Sequence, residues 1–561
     1  MTPPTADLVT AVPRRLPERK VPTRLSALLF EAKVWALRLR HTLTSTRPAR
    51  LAKGDARAFP AIAAQSSSLL WSDPRTAERA AQSGKVQNLR LAAGAFDGLV
   101  IPAGGVFSFW RQLGRASRAR GFVKGRMLKE GCMVSAVGGG LCQLSNALHA
   151  VALDAGLEIV ERHGHSRIVP GSAAALGRDA TIAWNYVDLK FRAPRALMLR
   201  VRMTRDELVV ELRAPVADAF VTHDEDAEAP GHTCATCEQT NCFRHEHDHG
   251  TRRAALLMDE AWPEFGAYAA KVRTPDDVTV SLRQTPVARL LRSLGQRRAK
   301  TAPERRAAEL RGNERVARAL ARSLTPDVTD VTVAQSLLPT LWRDGHLGGR
   351  RFSVLMTRLP MAEIQSRLDA AAGAHPERRS LADFRADPAL LAAETEALAA
   401  AGAIVTPHAE IARLFGERAV LLDWAMPEPM SRGTTVPGRI AFPGPTIARK
   451  GGYELREAAR ALDLEVVLTG SELEGSDFWT GVRTIRADSS NWLDGVACVV
   501  QPALLEDAPR RLLEALASGV PVIATRACGL VEQRGLTLID GSLPLRDAIA
   551  RMLYSSRRNA G

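Results

Sequence analysis

Two glutamates near the C-terminal end of the chain lie at a spacing that suits sugar binding. The segment from Gln501 to Ala524 begins with an apolar strand and continues with a loop that carries Glu506. A helix containing Glu514 follows, and Gly519 ends it before the next apolar run. Ligands of open parallel sheets bind beyond the carboxyl ends of the strands. Carboxylates at that edge accept hydrogen bonds from sugar hydroxyls, so the pair predicts a carbohydrate-binding edge.

A glycine-containing turn upstream of these glutamates suits a phosphate. The sequence RIAFPGPTIARKGGYELREAARAL predicts a strand, a turn from Gly444, and a helix that begins near Gly452. Backbone N–H groups at a helix start, together with the helix dipole, favour a pyrophosphate. Arg449 and Lys450 add positive charge to this turn.

Together these segments resemble the donor site of the family 4 retaining glycosyltransferases, which carry E-x7-E followed by A-x-G-x-P-V-I-A. The resemblance implies a nucleotide-diphosphate sugar as co-substrate and no catalytic Mg²⁺. It implies that Glu506 contacts the transferred sugar, that Glu514 holds the ribose, and that Lys450 neutralises the pyrophosphate. Glu506 and Lys450 are therefore candidate catalytic residues. Pro445 stands where that family has an arginine, so Arg449 is the candidate replacement for the missing charge.

Short apolar strands alternate with helices from Arg252 to the C-terminus, and the pattern restarts after Pro437. Such alternation predicts parallel sheets covered by helices, and two successive sets predict two Rossmann-like lobes with a cleft between them. The resemblance implies the GT-B fold, with an acceptor lobe at 251–432 and a nucleotide-sugar lobe at 433–561.

The segment from Glu394 to Phe415 resembles the helix–strand–helix of that family before its interlobe linker. His408 follows the strand, where a group on the acceptor side could lie. A helix start capped by Thr406 explains the same residues structurally, so both interpretations stay open.

A second group of reactive residues lies in the first half of the chain. Three glycines lead into a predicted helix over residues 142–155, so Cys142 lies at a helix N-terminus, where the dipole favours negative charge. His163 and His165 follow about twenty residues later, and Asp179 and Asp188 come next. A cysteine at a helix start with a nearby histidine is typical of thiol hydrolases and transferases, which makes Cys142 and His165 candidate catalytic residues.

A structural interpretation competes with this one, because glycines also permit close backbone approach and free cysteines are commonly buried. Gln143 and Asn146 could likewise orient a substrate or bridge internal polar groups. Residues 56–215 resemble the VanW-like domain in four motifs, which are Phe107–Trp110, Gly138–Leu148, Glu161–Ser166 and Asp179–Phe191. We expect an α+β domain here. The family is linked to vancomycin-resistance clusters, and the resemblance implies a role near cell-wall precursors or envelope glycans.

A Cys/His-rich insert at 216–250 separates the two regions. Its spacing C-x2-C-x4-C-x2-H suits a closed tetrahedral zinc site formed by Cys234, Cys237, Cys242 and His245. His247 and His249 are alternative fourth ligands, and an iron–sulfur cluster is a weaker alternative for the same set. Four protein ligands leave no open position, so we expect a structural metal rather than a catalytic one.

The positive charge of the chain is concentrated at its N-terminal end. Residues 1–53 hold 11 Lys and Arg against 3 Asp and Glu, out of a net charge of +15. No nucleic-acid-binding signature accompanies this excess, and we expect no nucleic-acid partner. Within the basic segment 1–55, apolar residues recur at helical spacing over residues 25–43. This helix could contact an anionic membrane surface, or it could pack on the next domain with its basic face in water.

The 561 residues have an ordinary globular composition, with 46% hydrophobic and 24% charged residues. No stretch approaches the ~18 apolar residues that span a bilayer, and the beginning of the chain lacks the features of a secretory signal. We therefore expect a cytoplasmic protein, with a peripheral position on the inner face of the membrane as the alternative.

Two functions remain open from the sequence. In the first, the chain is a retaining glycosyltransferase that modifies an envelope glycan or lipid-linked precursor, with the VanW-like domain as an accessory module. In the second, the VanW-like domain is a thiol enzyme or precursor-binding protein, and a degenerate transferase senses nucleotide-sugars. The intact pair of Glu506 and Glu514 favours the first function, and Pro445 favours the second.

Overall fold

The chain divides into two compact units, Met1–Thr251 (unit 1) and Arg252–Gly561 (unit 2). The computed structural model describes residues 23–44, 48–72, 78–129, 132–165, 177–216, 253–259, 262–271, 278–283, 293, 302–382, 385–488, 491–539 and 544–558.

Unit 1 is an α+β assembly built on antiparallel strands. A four-stranded sheet has the order β1-β9-β8-β2, a three-stranded sheet has the order β3-β7-β6, and β4 pairs with β5. The elements are α1 (Arg24–Thr44), β1 (Ala61–Leu69), α2 (Arg79–Phe96), β2 (Leu99–Ile101), β3 (Val106–Ser108), α3 (Phe109–Leu113), β4 (Lys124–Lys129), β5 (Cys132–Val137), α4 (Leu141–Asp154), β6 (Glu158–Glu161), β7 (Lys190–Arg192), β8 (Leu197–Met203) and β9 (Glu207–Ala214).

The core of unit 1 lies between the sheets and helices α2 and α4. Strands β8 and β9 form an antiparallel hairpin, with Val201 opposite Val210. Leu144 and Leu148 of α4 are fully buried in the same core as Phe96 of α2. Burial of these large apolar side chains, each worth roughly 1.5–3 kcal/mol, fixes which face of α4 points inward.

The predicted basic amphipathic helix is present as α1, and its apolar stripe faces outward. Val34 is buried, whereas Trp35 is 65% exposed. The side of α1 that faces unit 1 also carries Thr42, whose Oγ1 accepts a hydrogen bond of 2.9 Å from Asn185. The exposed large apolar side chains are Leu25, Leu28, Leu29, Phe30, Trp35, Leu39 and Leu43. Among the described residues, no helix is long and apolar enough to cross a membrane.

Unit 2 contains two six-stranded sheets in which every described pairing is parallel. The first sheet has the order β11-β10-β12-β13-β14-β15. Its lobe contains β10 (Arg253–Met258), α5 (Pro263–Lys271), β11 (Val278–Arg283), α6 (Ala302–Ala321), β12 (Val328–Ala334), α7 (Leu338–Arg343), β13 (Arg351–Leu355), α8 (Met361–Ala374), α9 (Pro388–Ala400), β14 (Ala403–Thr406), α10 (Ala409–Phe415) and β15 (Ala419–Leu421).

The second sheet has the order β18-β17-β16-β19-β20-β21. Its lobe contains β16 (Arg439–Phe442), α11 (Gly452–Ala461), β17 (Glu465–Leu468), β18 (Arg483–Arg486), β19 (Cys498–Gln501), α12 (Arg510–Ala517), β20 (Val522–Thr525), β21 (Leu536–Ile539) and α13 (Leu545–Arg558). Strand β19 is fully buried. Helices cover both faces of a parallel sheet, which explains why the strand segments of unit 2 are mostly apolar along their whole length. The predicted two-lobed α/β architecture is confirmed.

Candidate functional site

The turn between β16 and α11 lies against the loop that follows β19. Gly451 precedes α11 with a φ of 83°. A Cβ at Gly451 would overlap the carbonyl oxygen of Pro502, so this close approach requires glycine. The backbone N–H of Leu504 donates to the carbonyl oxygen of Arg449 at 2.9 Å. The predicted pyrophosphate turn therefore lies directly beside the loop that carries Glu506.

Lys450 and Glu506 form an ion pair between these two loops. Nζ of Lys450 lies 2.9 Å from Oε2 of Glu506, and the two side chains are only 16% and 12% exposed. The same carboxylate accepts hydrogen bonds from the backbone N–H of Ala508 at 3.1 Å and from the side-chain amide of Gln501. The structure thus brings two predicted donor-site residues into contact and fixes the orientation of the carboxylate.

Gly444 and Arg449 complete the turn, which we call the donor turn (residues 444–452). A Cβ at Gly470 would overlap the carbonyl oxygen of Gly444, so the start of the turn is packed tightly against the loop after β17. Within the part of the chain that the structure describes, the half-buried guanidinium of Arg449 has no carboxylate partner. Among the described residues, Arg449 is therefore a positive charge beside Lys450 without a carboxylate partner.

Glu514 lies in α12 and is ion-paired within its own helix. Its Oε2 lies 2.8 Å from Nη1 of Arg511, and its side chain is 25% exposed. The guanidinium of Arg511 also lies over the ring of Trp492, 5.5 Å from the centroid. Among the described residues, Glu514 makes no hydrogen bond or ion pair with Lys450 or Glu506. The predicted ribose residue thus belongs to the same lobe as the Lys450–Glu506 pair without touching it.

His408 lies at the contact between the two lobes of unit 2. Its Nε2 is 2.9 Å from the main-chain carbonyl oxygen of Glu506, to which an Nε2–H tautomer donates. A Cβ at Gly529 would overlap the imidazole ring, which is 1% exposed. Burial lowers the pKa of His408, so the ring is neutral at pH 7. Thr406 Oγ1 accepts from the His408 N–H at 3.0 Å, and His408 itself holds the helix-cap position.

A second interlobe contact has no counterpart in the sequence prediction. Glu264 of α5 forms a bidentate ion pair with Arg510, the first residue of α12, at 2.6 and 2.8 Å. Arg510 lies over the rings of Trp262 and Trp424, at 5.2 and 5.3 Å from their centroids. Glu264 is fully buried, which raises the pKa of its carboxyl. The hydrogen bonds from Arg510 and from the backbone N–H of Ala425, together with the charge of Arg510, outweigh this burial and hold the pKa below its usual range. This contact joins the first lobe to the helix that carries Glu514.

In unit 1, the glycine-rich turn places Cys142 at the second position of α4. Gly140 adopts a left-handed conformation with a φ of 96° and provides no side-chain cap for the helix. A Cβ at Gly139 would overlap the carbonyl oxygen of Gly125, so hairpin β4–β5 closes tightly on the turn. Cys142 is a free, partly exposed thiol. The glycines thus have the packing role that the structural interpretation predicted, and they leave the thiol accessible.

His165 links Cys142 to Asp179, and we call these three residues the thiol centre. Nδ1 of His165 lies 2.7 Å from Oδ2 of Asp179, which also accepts from the His165 backbone N–H at 2.6 Å. The hydrogen bond to Cys142 raises the pKa of His165 to about 9, with support from Asp179 and against the effect of burial. Hydrogen bonds from His165 and the charge of Arg162 outweigh burial and lower the pKa of Asp179.

Other polar residues of this segment serve the structure. Nε2 of Gln143 donates to Ser68 Oγ and to the carbonyl oxygen of Leu69, both at 2.9 Å. Asp188 is buried and accepts from Ser108 Oγ at 2.5 Å. His163 is about half exposed and lies 3.4 Å from a Glu161 oxygen. Among the alternatives that the sequence left open, Gln143 therefore bridges internal polar groups.

The predicted metal ligands lie outside the described residues, and so does the whole insert at 216–250 except its first residue. These ligands are Cys234, Cys237, Cys242 and His245, with His247 and His249 as the alternatives. Within the described ranges, no group of three or more His, Cys, Asp or Glu side chains could hold a metal ion.

Comparison with protein families assigns the two regions separately. Residues 84–213 match the family described as VanW like protein, and residues 451–554 match Glycosyl transferases group 1. The first segment is 37% identical over 131 residues to the vancomycin B-type resistance protein VanW of Enterococcus faecalis, covering 22% of this chain and 47% of that protein. It is 32% identical over 127 residues to the uncharacterized protein YoaR of Bacillus subtilis, covering 22% and 41%. The chain thus spans less than half the length of each of these relatives.

Solved structures similar to this chain include Anabaena Alr3699/HepE in complex with UDP and glucose, at 15% identity and a TM-score of 0.31. The match covers 55% of this chain and 92% of that one. The trehalose-6-phosphate synthase OtsA matches at 12% identity and a TM-score of 0.33, covering 54% and 91%. The chain therefore joins a VanW-like segment to a segment of the glycosyl transferases group 1 type, as the sequence predicted.

Proposed function

We propose that unit 2 is a retaining glycosyltransferase that moves a sugar from a nucleotide-diphosphate donor to a cell-envelope glycan or a lipid-linked precursor. The observation that carries this proposal is the ion pair of Lys450 and Glu506 at the carboxyl edge of the second sheet. A cation and a carboxylate held at one edge by two different loops suit a ligand with an anionic part and a hydroxyl-rich part. A nucleotide-diphosphate sugar has both.

The donor turn would receive the pyrophosphate. Backbone N–H groups at the start of α11 and the dipole of that helix favour a negative charge there. Lys450 would then exchange part of its contact with Glu506 for a phosphate oxygen, and Arg449 would add the second positive charge. Charge on the leaving diphosphate grows as the glycosidic bond breaks, so these cations stabilise the transition state more than the ground state.

The two glutamates would hold the remaining parts of the donor. Glu506 keeps a fixed orientation through Gln501 and Ala508, which suits a carboxylate that accepts from sugar hydroxyls while the acceptor attacks the retained face. One oxygen of Glu514 pairs with Arg511, and the other oxygen would accept from a ribose hydroxyl. His408 would act by holding the main chain of Glu506 rather than by touching the acceptor.

The exposed apolar stripe of α1 would bring the protein to a membrane, which is where a lipid-linked acceptor lies. This stripe is flanked by Lys33 and Arg40, and such a helix lies in the interface of an anionic membrane. We place the contact on the cytoplasmic face, where anionic lipids are enriched. Sedimentation with phosphatidylglycerol vesicles tests it. Trp35→Glu should abolish the sedimentation that wild type shows, and equal sedimentation of both proteins would refute the contact.

The Cys/His insert would hold a structural zinc ion. The support is the spacing of Cys234, Cys237 and Cys242 with His245, which gives a closed tetrahedral donor set without a position for substrate. Elemental analysis of protein prepared without chelators should give about one zinc per chain. A preparation without zinc or iron would refute this part of the proposal.

A donor screen followed by product analysis tests the transferase. UDP-, GDP- and ADP-sugars are offered one at a time, and release of nucleoside diphosphate is measured with wild type, Glu506→Ala and the exposed control Glu532→Ala. At least one donor should be consumed, and Glu506→Ala should lower turnover about 30- to 150-fold, which corresponds to roughly 2–3 kcal/mol. Nuclear magnetic resonance of the product should show the anomeric configuration of the donor. Inversion, or full activity of Glu506→Ala, would overturn the proposal.

A further inference from the structure

The segment that carries Cys142 is fixed by contacts from elsewhere in unit 1. Nδ2 of Asn88, on α2, donates to the carbonyl oxygen of Gly139 at 2.9 Å. A Cβ at Gly140 would overlap the side chain of Lys85, also on α2. The helix start that presents the thiol is therefore held between α2 and the hairpin β4–β5, and its position does not depend on a ligand.

The face of α4 that carries Cys142 also holds the segment that contains Asp179. Cys142, Ser145 and Asn146 share one side of the helix, because residues three and four apart are neighbours on its surface. Ser145 Oγ donates to the carbonyl oxygen of Ala180 at 2.5 Å, and Asn146 Oδ1 accepts from the Ala180 N–H at 2.8 Å. Asp179 is thus positioned along the helix face that carries the thiol.

His165 interacts with both the thiol of Cys142 and the carboxylate of Asp179. Its Nδ1 is held by Asp179, whose other oxygen is paired with Arg162. The imidazole side chain is 16% exposed, and the thiol of Cys142 is partly exposed. A nucleophile, a proton-transfer group and a group that orients the latter are the three parts of a hydrolase or acyltransferase triad.

We propose that Cys142, His165 and Asp179 form a second active site, which transfers acyl groups from esters or amides through a thioester on Cys142. The N–H of Gln143 donates to the carbonyl oxygen of Gly140 at 3.1 Å. The N–H groups of Leu141 and Cys142 lie at the start of α4 beside the thiol, where they can stabilise the oxyanion of an acyl transfer. This site is independent of the proposed transferase, since its three residues all belong to unit 1.

The reaction balances with these residues alone. The Cys142 thiolate attacks the carbonyl carbon, the bond from that carbon to the leaving oxygen or nitrogen breaks, and the His165 imidazolium gives its proton to the leaving group. Water or an amine then attacks the thioester and passes its proton to His165. The Cys142 sulfur leaves as the thiolate, which restores the starting state of the site. Asp179 is a positioning residue that keeps the imidazole ring oriented and stabilises its charged form.

The full-length chain with p-nitrophenyl acetate as the probe tests this proposal. Release of p-nitrophenol is followed by absorbance, and acetylated residues are located by peptide mass spectrometry. The buried thiols of Cys498 and Cys528, whose pKa values burial raises to about 12, are internal controls. His165→Gln and Asp179→Asn are compared with His163→Gln and Asp206→Asn, which change exposed residues of the same types.

Wild type should carry an acetyl group on Cys142, and Cys142→Ser should lack both the adduct and the associated p-nitrophenol release. His165→Gln should slow acetylation roughly 10²-fold or more, while His163→Gln stays at the wild-type rate. In wild type the rate should fall above about pH 9, as His165 loses its proton, and Asp179→Asn should move this limb to lower pH. If Asp179→Asn does not fold, the pair of histidine variants decides. Acetylation of Cys142 no faster than of Cys498, or equal rates in both histidine variants, would overturn the proposal.

Discussion

The thiol centre of unit 1 and the proposed donor site of unit 2 differ in the contacts that their charged groups make before a ligand binds. In the thiol centre, His165 already contacts both partners with which it would share a proton. In the donor site, Lys450 and Glu506 neutralise each other and leave only Arg449 without a carboxylate partner among the described residues. The first arrangement is preorganised for proton transfer, whereas the second must exchange an internal ion pair for ligand contacts.

This difference determines how each region should respond to substitution. Removing one member of the donor pair leaves a largely buried opposite charge, which costs more than the loss of one surface contact. Removing a member of the thiol centre changes the protonation state and orientation of the others. Substitutions in unit 2 should therefore change the turnover and binding of the donor. Substitutions in the thiol centre of unit 1 should change how its acylation rate and its stability depend on pH.

The largest effect on transfer is expected from Lys450→Ala. Loss of the cation removes charge stabilisation of the leaving diphosphate and leaves Glu506 without its partner, so turnover should fall roughly 10²- to 10³-fold. Lys450→Arg should recover part of it, and Arg546→Ala, an exposed charge on α13, should behave as wild type. Initial rates of nucleoside diphosphate release measure this. Unchanged turnover in Lys450→Ala would show that the leaving diphosphate does not bind beside Lys450.

A smaller effect, on binding rather than chemistry, is expected from Glu514→Ala. A ribose contact is present in both ground and transition states, so its loss raises KM about tenfold and changes kcat little. Steady-state kinetics over a range of donor concentrations separate the two constants. Arg511→Ala is the matched control, because it frees Glu514 without removing it. A fall in kcat at constant KM would assign Glu514 to the chemical step.

The smallest effect is a pH dependence of the stability of unit 1. The pKa of His165 is raised in the folded state from 6.5 to about 9, so its stabilisation is complete below pH 6.5 and is lost as pH rises through 9. The melting temperature of wild type should therefore fall over this range more than that of His165→Gln. Thermal unfolding followed by circular dichroism measures the melting temperature at each pH. If the curves of melting temperature against pH are parallel for the two proteins, His165 does not have the raised pKa that the thiol centre requires.

The parts of both candidate sites that have a local pattern can be predicted from the sequence. Glu506, Glu514 and Lys450 are candidates because of their spacing and the family resemblance, and the glycines before Cys142 indicate the helix start. The pattern could not show that Lys450 and Glu506 touch, because their contact depends on how the loops of two parallel strands meet.

The interlobe contact between Glu264 and Arg510 was missed because its members are 246 residues apart and neither lies in a motif. Asp179 was noted among two candidate aspartates, and only the fold distinguishes it from Asp188, which caps the segment of Ser108 and Trp110. Long-range side-chain pairs leave no local signal, since each partner alone is an ordinary charged residue.

Calorimetric titration of the donor identified in the screen tests the central claim most directly, using wild type, Lys450→Ala and Cys142→Ser. Wild type and Cys142→Ser should bind that donor with the same affinity. Lys450→Ala should bind it at least about tenfold more weakly, which corresponds to a loss of about 1.4 kcal/mol. Equal affinity of all three proteins, or loss of binding in Cys142→Ser instead of Lys450→Ala, would contradict a nucleotide-sugar site at the Lys450–Glu506 pair.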